Sequence, residues 1–310
     1  MFAYLIKNKL LLHYFILLFV ISFLGCGQRQ SLVEVDFDDT VELKESHVSG
    51  IPEINICVGS MITPKEGYAY YKALLDYIGD CLKMKVNFME NKSYAETNTL
   101  LEEGKIDVAF VCGGPYVEGR DKFGLELLVA PQVDGRTVYH SYIIVRKDSG
   151  INKFEDLRGK TFVFADPMSN SGKLYPTYLL KQIGETPETF FKEYIFSYAH
   201  DTSIRAVAED FVDAGAVDSL IWHYMDKSGS QFTKNTKIIK VSPPYGIPPV
   251  VVRPTLRKDL KDKIKKILLG MHLDKKGKDI LENMSIERFV EIDDSNYNSI
   301  RAAKRYYLGK

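Results

Sequence analysis

A chain of 310 residues is long enough for one large domain or for two lobes. Hydrophobic residues make up 45% of it and charged residues 26%, which is the composition of an ordinary globular protein. The formal net charge is zero, and the first 25 residues hold two lysines and no acid, so the remainder carries −2. A nucleic-acid binder would show a basic excess, and its absence argues against that class.

The first segment of the chain is typical of an export signal. Two lysines precede an apolar run, Leu10 to Leu24, which ends at Gly25-Cys26 and resembles a bacterial lipoprotein signal. We therefore expect a signal peptide at 1–25, a lipid on Cys26 and a polar, acidic tether at 26–50, so that the body is exported and faces the periplasm or the cell exterior. The alternative is an uncleaved anchor, although the run is slightly short for a membrane span.

Hydrophobic periodicity predicts strands and helices that alternate through the first half of the chain. Alternation with period two is typical of a half-buried strand, and apolar residues three or four apart are typical of a helix. In chain order, the patterns predict a strand at 54–58, a helix at 68–78, a strand at 84–89, a helix at 94–103, and strands at 106–111, 125–130 and 139–146. Gly113-Gly114-Pro115 is predicted to be a turn.

A second series of the same kind follows. It comprises a helical turn at 154–159, a strand at 160–165, helices at 174–183 and 204–211, strands at 212–218, 238–241 and 248–252, and helices at 260–271 and 297–308. Two series joined by two extended crossings predict an α/β protein of two lobes, each a mainly parallel sheet flanked by helices, connected by two hinge strands. We place lobe 1 at 51–141 and 247–310, and lobe 2 at 142–246.

The cysteines and histidines predict neither a metal site nor a cofactor. Cys57, Cys81 and Cys112 fit no zinc or redox spacing, so buried free thiols are expected, with one disulfide among them as the alternative. The six histidines are scattered and show no His-x-x-x-His spacing.

The stretch Ala165 to Pro176 lies between a predicted strand and a predicted helix. Four small or polar residues come where the helix would begin: Ser169, Asn170, Ser171 and Gly172. Helix N-termini carry unpaired N–H groups and the positive end of the helix dipole, and hydroxyl side chains add donors. The stretch therefore predicts either a pocket for a small oxyanion or an ordinary Ser/Asn cap. Since Pro176 would remove a bond from a helix starting at Gly172, we expect the helix to begin late or to bend.

Three further polar residues come at strand ends or helix starts, where a cleft would lie in this layout. Tyr94 could donate its hydroxyl and His200 a ring N–H, the alternatives being packing for the tyrosine and a loop cap for the histidine. Asp218 would select a protonated oxyanion, or else is a solvated loop acid. Serine, histidine and aspartate also suggest a hydrolase, but no Gly-x-Ser-x-Gly elbow surrounds Ser169 or Ser171.

Several motifs occur in a fixed order between about Ile54 and Val252. They are Gly104-x-x-Asp107-Val108-Ala109, Tyr139-x-Ser141, Asp148-Ser149-Gly150-Ile151, Asp156-Leu157-x-Gly159-Lys160, Asp166-Pro167-x-Ser169-x-Ser171-Gly172, Pro176, His200-Asp201 and Val212 to Asp218. The series resembles the phosphate/phosphite/phosphonate-binding component of bacterial ABC transporters. The resemblance implies a type II periplasmic-binding-protein fold, closure of the lobes over the ligand, and delivery to a membrane permease.

The resemblance also implies roles for individual residues. The phosphoryl oxygens would be held by hydroxyls and backbone N–H groups of Ser169, Asn170, Ser171 and Gly172, with Tyr94, Tyr139 and His200 completing the cage. Asn170 stands where threonine is typical. Leu220 and Pro248 stand where relatives that take aminoalkyl phosphonates place acids for the amine. This favours phosphate, phosphite or a small alkylphosphonate, whose P–OH would meet Asp218.

The leading hypothesis is a lipid-anchored, monomeric receptor that captures a phosphorus oxyanion for an ABC importer and carries out no catalysis. A receptor of the same fold that signals to a membrane kinase or cyclase is the first alternative. A serine-dependent esterase or phosphatase is the second, and the missing elbow argues against it.

Overall fold

The computed structural model describes residues 51–59 and 61–309, which build two main sheets. The strands of this part of the chain are β1 Glu53–Val58, β2 Lys85–Met89, β3 Val108–Phe110, β4 Glu126–Gln132, β5 Val138–Tyr139, β6 Ser141–Arg146, β7 Thr161–Phe164, β8 Glu193–Phe196, β9 Ala214–Asp218, β10 Thr236–Val241, β11 Tyr245–Gly246, β12 Val250–Val252 and β13 Arg288–Val290. The predicted signal peptide, the lipidation site Cys26 and the tether lie outside the described residues.

Helices cover both sheets. Those of the described residues are α1 Pro64–Leu82, α2 Tyr94–Glu102, α3 Gly113–Phe123, α4 Tyr175–Gln182, α5 Pro187–Phe190, α6 His200–Ala208, α7 Ser219–Lys227, α8 Gln231–Lys234, α9 Lys258–Gly270, α10 Lys275–Asn283 and α11 Asn298–Leu308. Single helical turns lie at Phe154–Leu157, Asn170–Leu174, Met271–Leu273 and Asp294–Tyr297. Of the helices described, none has the length and apolar character that crossing a bilayer requires.

The two sheets have matching strand orders, and each forms the centre of one lobe. The first runs β2-β1-β3-β12-β4-β13 and the second runs β8-β7-β9-β6-β10. Each sheet contains parallel pairs, such as β1 with β3 in the first sheet and β7 with β9 in the second. The carboxyl ends of these strands, with the helix starts that follow them, point to the same edge of each sheet.

Most strands of each sheet run in one direction, as predicted, but both sheets are mixed because β12 and β6 run against their neighbours. β12 is antiparallel to β3 and β4, and β6 is antiparallel to β9 and β10. The reason is the double crossing between the lobes. A strand that enters a lobe from the hinge must run away from the cleft, whereas the strands of the βα units run toward it.

The hinge is a short antiparallel pair between the two sheets. β5 pairs with β11 through Tyr139 opposite Tyr245 and Val138 opposite Gly246. The fold is the expected α/β fold of two lobes joined by two hinge strands. The residue boundaries of the lobes, placed at 141/142 and 246/247, stay predictions.

Local differences from the predicted elements have simple causes. Gly113-Gly114-Pro115 is the first turn of α3 and not an isolated turn, because a proline in the first turn of a helix has no N–H bond to lose. The short strand β8 and the helix α7 were not predicted. All three cysteines in the described part of the chain are free thiols; Cys57 and Cys112 are buried, whereas Cys81 is exposed, contrary to expectation.

Candidate functional site

The turn between β7 and α4 begins with one π-helical turn. The Ser169 carbonyl accepts from the Leu174 N–H at 2.9 Å, and α4 then starts at Tyr175 with Pro176 in its first turn. The proline therefore removes no bond, which is the late start expected from the sequence. Ser169 is the cap, because its Oγ accepts from the Gly172 N–H at 2.9 Å. Gly172, expected to offer this N–H to a ligand, is required for packing, since a Cβ there would lie 2.4 Å from the Ala165 Cβ.

Ser171 differs from Ser169 in having its side chain unused. Its Oγ is buried and has no hydrogen-bond partner among the described residues. The turn is held by Ser141, whose hydroxyl donates to the Ser171 carbonyl at 2.6 Å. Beside it, Asn170 donates its side-chain amide to the Tyr139 hydroxyl at 3.0 Å, while the Asn170 Oδ1 is buried without a partner in the described structure.

Tyrosines of the first lobe and the hinge face this turn. Tyr94, the first residue of α2, is fully buried, and its hydroxyl has no partner in the described part of the chain. Tyr139 ends β5 and is 1% exposed, and its hydroxyl lies 3.4 Å from the Cys112 Sγ. Burial raises the pKa of both phenols, so both are neutral hydroxyls.

His200 starts α6 and is completely buried. Its Nδ1 lies 3.1 Å from the backbone N–H of Asp218, which donates to it, so the ring proton is on Nε2. Burial lowers the pKa of His200 to about 3, which keeps the ring neutral at physiological pH. The Nε2–H is a buried donor without a partner in the described residues, contrary to the alternative of a loop cap.

Asp218 ends β9 and is 1% exposed, so it is not the solvated acid of the alternative interpretation. Its Oδ1 accepts from the Leu220 N–H at 2.7 Å and thereby caps α7. Burial raises the pKa of Asp218 to about 7, even though N–H groups of Leu220 and Ile221 oppose this shift. The carboxyl can therefore share a proton with a ligand near neutral pH.

These residues converge on one enclosed cage. Asp218 pairs with Ser141 across the sheet, Ser141 bonds the Ser171 carbonyl, and Asp218 also bonds His200. Tyr139 bonds Asn170, and the Tyr94 backbone N–H bonds the Asp166 carboxylate at the start of the same stretch. Four buried polar atoms there lack partners in the described structure: the Tyr94 hydroxyl, the Asn170 Oδ1, the Ser171 Oγ and the His200 Nε2. Since buried polar groups are nearly always paired, such a cluster indicates a ligand site.

The arrangement does not suit a hydrolase. A serine nucleophile needs a histidine nitrogen that accepts its proton. In His200 the accepting nitrogen, Nδ1, is bound to the Asp218 N–H, and the remaining nitrogen carries a hydrogen. No described cluster of His, Cys, Asp or Glu has the arrangement of a metal site.

Contacts between the lobes surround the cage, and sequence reasoning assigned them no role. The backbone N–H of His200 donates to the Met61 carbonyl at 3.0 Å. The backbone N–H of Tyr94 donates to the Asp166 carboxylate at 3.1 Å. Gly114 of α3 approaches the turn so closely that a Cβ there would lie 2.1 Å from the Met168 carbonyl oxygen. The lobes are therefore closed on each other.

Two lobes closed over a buried cage, with a paired-strand hinge beside it, define a solute-binding protein of the periplasmic type. The family model described as "ABC transporter, phosphonate, periplasmic substrate-binding protein" matches residues 56–297. The chain belongs to this family. It is not an enzyme, since members are the substrate-binding components of transporters.

Individual relatives agree with this assignment. The chain is 25% identical over 240 residues to the probable ABC transporter phosphite binding protein PhnD1 of Prochlorococcus marinus, covering 72% of this chain and 79% of the relative. It is 29% identical over 225 residues to the phosphonates-binding periplasmic protein of Escherichia coli, covering 71% of this chain and 66% of that relative. The structure of the Prochlorococcus marinus PhnD1 in complex with methylphosphonate has the same fold, with a TM-score of 0.76 at 21% identity, covering 84% of this chain and all of that one.

Proposed function

We propose that this protein is a lipid-anchored extracytoplasmic receptor that captures phosphate, phosphite or a small alkylphosphonate for an ABC importer. The observation that carries the proposal is the set of buried polar atoms without partners on Tyr94, Asn170, Ser171 and His200. Leaving them unpaired would cost about 1–3 kcal/mol each, which a bound oxyanion would recover.

The donors suit a phosphoryl group. The hydroxyls of Ser171 and Tyr94 and the Nε2–H of His200 can each donate to one phosphoryl oxygen. These donors are neutral, so the anion would be held by hydrogen bonds in a dry cage and not by a cation. Ser169 and Gly172 would act mainly by shaping the turn, because they bond to each other.

Two residues bear on which oxyanion is bound. Asp218 would take the proton of a P–OH group or give its own to a P–O⁻, so one proton lies between the two acids. Asn170 would accept from a P–OH through Oδ1, or, with its amide rotated by 180°, donate to the ligand while accepting from Tyr139.

Two residues argue against an aminophosphonate as the ligand. Leu220 and Pro248, which stand where amine-binding acids would be expected, lie on the wall of the space beside the cage. Neither side chain can accept a hydrogen bond from an ammonium group. The Prochlorococcus marinus relative is named as a phosphite binding protein and has a structure with methylphosphonate, which is compatible with this choice. The name of the Escherichia coli relative says only that it binds phosphonates.

Ligand-dependent closure would connect the receptor to its permease. A ligand that binds only the closed form shifts the population toward it, and that form would be recognised at the membrane. The monomeric state and the lipid on Cys26 belong to the proposal. Incorporation of labelled palmitate into the full chain, lost in Cys26→Ser, tests the anchor.

The ligand is tested by calorimetry with phosphate, phosphite, methylphosphonate, aminoethylphosphonate and sulfate. We expect one of the first three to bind best, and Ser171→Ala to weaken its binding by about 10-fold to over 100-fold. Ser230→Ala is the matched control. The Ser230 hydroxyl caps α8 by accepting from the Phe232 N–H, and it is not one of the unpaired cage atoms. Unchanged affinity in Ser171→Ala would overturn the assigned cage.

A further inference from the structure

A second space adjoins the cage. It is a cavity of about 1030 Å³ between the lobes, and both Tyr139 and Asp218 lie on its wall as well as in the cage. Sites for drug-sized ligands have volumes of roughly 300–1,000 Å³. A bare oxyanion that fits the cage would leave this cavity unfilled.

Asp218 is common to the cage and the cavity wall. In the cage its backbone N–H bonds His200, and its carboxyl bonds the N–H of Leu220, whose side chain is on the cavity wall beside Tyr71 and Tyr142. One residue therefore borders both spaces. A ligand whose phosphoryl group occupies the cage would direct any substituent past Asp218 into the cavity.

The inner part of the wall, next to Asp218, is aromatic and apolar. Tyr70 of α1 and Tyr224 of α7 meet edge to face across the cleft, with ring centroids 4.5 Å apart. Their neighbours on the wall include Tyr71, Leu220 and Pro248. Edge-to-face tyrosines from two lobes offer ring surfaces on which a flat carbon-rich group can pack.

The hydroxyls of two wall tyrosines, Tyr70 and Tyr142, are already bound to protein groups. The Tyr70 hydroxyl donates to the Met284 carbonyl at 2.7 Å, and the Tyr142 hydroxyl lies 2.9 Å from the His223 Nε2. These atoms are therefore occupied, and the rings present mainly carbon to the cavity.

The charges at the cavity mouth nearly cancel. The exposed charged residues on the lining are three cations and four anions. The cations are Arg136, Lys227 and Lys278, and the anions are Asp134, Asp226, Glu282 and Glu287. Lys278 is 3.8 Å from Glu282, and Lys227 donates to the Ser285 hydroxyl at 3.1 Å. A substituent with several charges of one sign would gain little here.

We propose that this cavity binds an aromatic, uncharged organic substituent of a phosphonate or phosphate monoester whose phosphoryl group occupies the cage. The inference rests on the proposed function, because it needs the phosphoryl group in the cage. It extends the ligand class from small oxyanions to aryl-substituted ones. Binding would bury the ring between α1 and α7 and so add contacts on both lobes in the closed form.

The test is calorimetry of the intact protein with phosphate, methylphosphonate, benzylphosphonate and benzyl phosphate. We expect benzylphosphonate to bind at least about tenfold more tightly than methylphosphonate, because the ring leaves water. Leu220→Trp, which fills the cavity beside Asp218, should remove this advantage while phosphate affinity changes by less than about threefold. Leu273→Trp is the matched control, since Leu273 is 79% exposed and is not on the cavity wall.

The outcomes separate the two proposals. If methylphosphonate or phosphate binds and both benzyl compounds fail to, the cavity proposal is overturned and the proposed function stands. If none of the four binds and phosphite does not bind either, both are overturned. Ile286→Trp, on the opposite lobe at the same cavity, repeats the test should Leu220→Trp fail to fold. Equal loss of phosphate and benzylphosphonate affinity in both variants would also overturn the cavity proposal. If benzyl phosphate binds and benzylphosphonate does not, the cavity proposal is overturned for phosphonates.

Discussion

Asp201 of lobe 2 accepts two hydrogen bonds from Thr63 of lobe 1, across the cleft. The Thr63 backbone N–H lies 3.0 Å from one carboxylate oxygen and its hydroxyl lies 2.8 Å from the other. Thr63 directly precedes α1, so the carboxylate sits at the positive end of that helix. Asp166 does the same for α2 through the Tyr94 N–H. Two acids of one lobe thus bind the starts of two helices of the other, and these three bonds join the lobes in the closed form.

The Asp201–Thr63 pair should therefore favour closure without touching the ligand. Asp201→Ala removes hydrogen bonds to a charged group, which are worth on the order of 1.5–3 kcal/mol. The closed form loses this stabilisation and the open form does not. In the open form the carboxylate would face water. We expect calorimetry with phosphate to show about a 10-fold to 100-fold loss of affinity, and small-angle scattering to show fewer closed molecules at a given phosphate concentration.

Two further variants separate closure from general damage. Thr63→Val keeps the backbone N–H bond and should lose less affinity than Asp201→Ala. Asp262→Ala removes an exposed carboxylate that bonds Lys258 at 2.7 Å and should leave affinity unchanged. Wild-type affinity in Asp201→Ala would show that closure does not depend on this pair.

Ser169 and Ser171, two residues apart, should respond differently to alanine. Ser169→Ala removes a helix-capping acceptor and should lower the free energy of unfolding by about 1 kcal/mol. Ser171→Ala removes a buried hydroxyl that has no partner in the described structure, so the unliganded protein should be as stable as the wild type or more so. Its cost should appear in ligand affinity instead.

Urea unfolding without ligand and calorimetry with ligand measure the two effects on the same preparations. Stability lost in Ser171→Ala with affinity unchanged would reverse the roles assigned to the two serines.

The cage was predictable from sequence because its residues come at junctions between strands and helices. Ser171, His200 and Asp218 each stand at a helix start or a strand end, and such junctions meet at one edge of the sheet in this kind of fold. The protonation state and the hydrogen-bonding role of each group could not be predicted in the same way. That His200 is neutral and donates through Nε2 depends on the Asp218 N–H, a contact set by the sheet.

The contacts between lobes could not be read from local patterns. Thr63 and Asp201 are 138 residues apart in the chain, and each alone looks like an ordinary helix-start residue. Their meeting depends on how the hinge closes, which no periodicity encodes. The same holds for Gly114, predicted as part of a turn, whose lack of a side chain matters because of Met168 in the other lobe.

Gly114→Ala should prevent full closure. The added Cβ would lie 2.1 Å from the Met168 carbonyl oxygen, a distance that forces the backbone of one lobe to move. The open form should keep its stability, because alanine is a better helix former than glycine by about 1 kcal/mol. We expect at least about tenfold weaker phosphate binding with an unchanged or higher melting temperature.

Gly270→Ala provides the control for this change. Gly270 ends α9, and a Cβ there meets nothing within 4 Å. Affinity retained in Gly114→Ala would mean that the closed arrangement tolerates a shift at this contact.

Asp218 should make binding depend on pH. Burial holds its pKa at about 7, so one proton can lie between this carboxyl and a phosphoryl oxygen near neutral pH. Well above that pKa both groups are anionic and repel each other, and affinity should fall by up to about tenfold per pH unit. His200, whose pKa is lowered to about 3, should add no transition between pH 5 and 8.

Asp218→Asn tests this directly, because asparagine can still cap α7 and can donate its amide to a fully deprotonated oxyanion. Its affinity for phosphate should be nearly independent of pH between 6 and 9, and sulfate, which carries no proton, should bind more tightly than it does to the wild type. The unliganded proteins should also differ. In the wild type the folded state holds a proton that the unfolded state releases above about pH 4, so the free energy of unfolding should fall as pH rises toward 7. That decline should be smaller in the variant. A wild-type affinity that stays constant up to pH 9 would show that Asp218 shares no proton with the ligand.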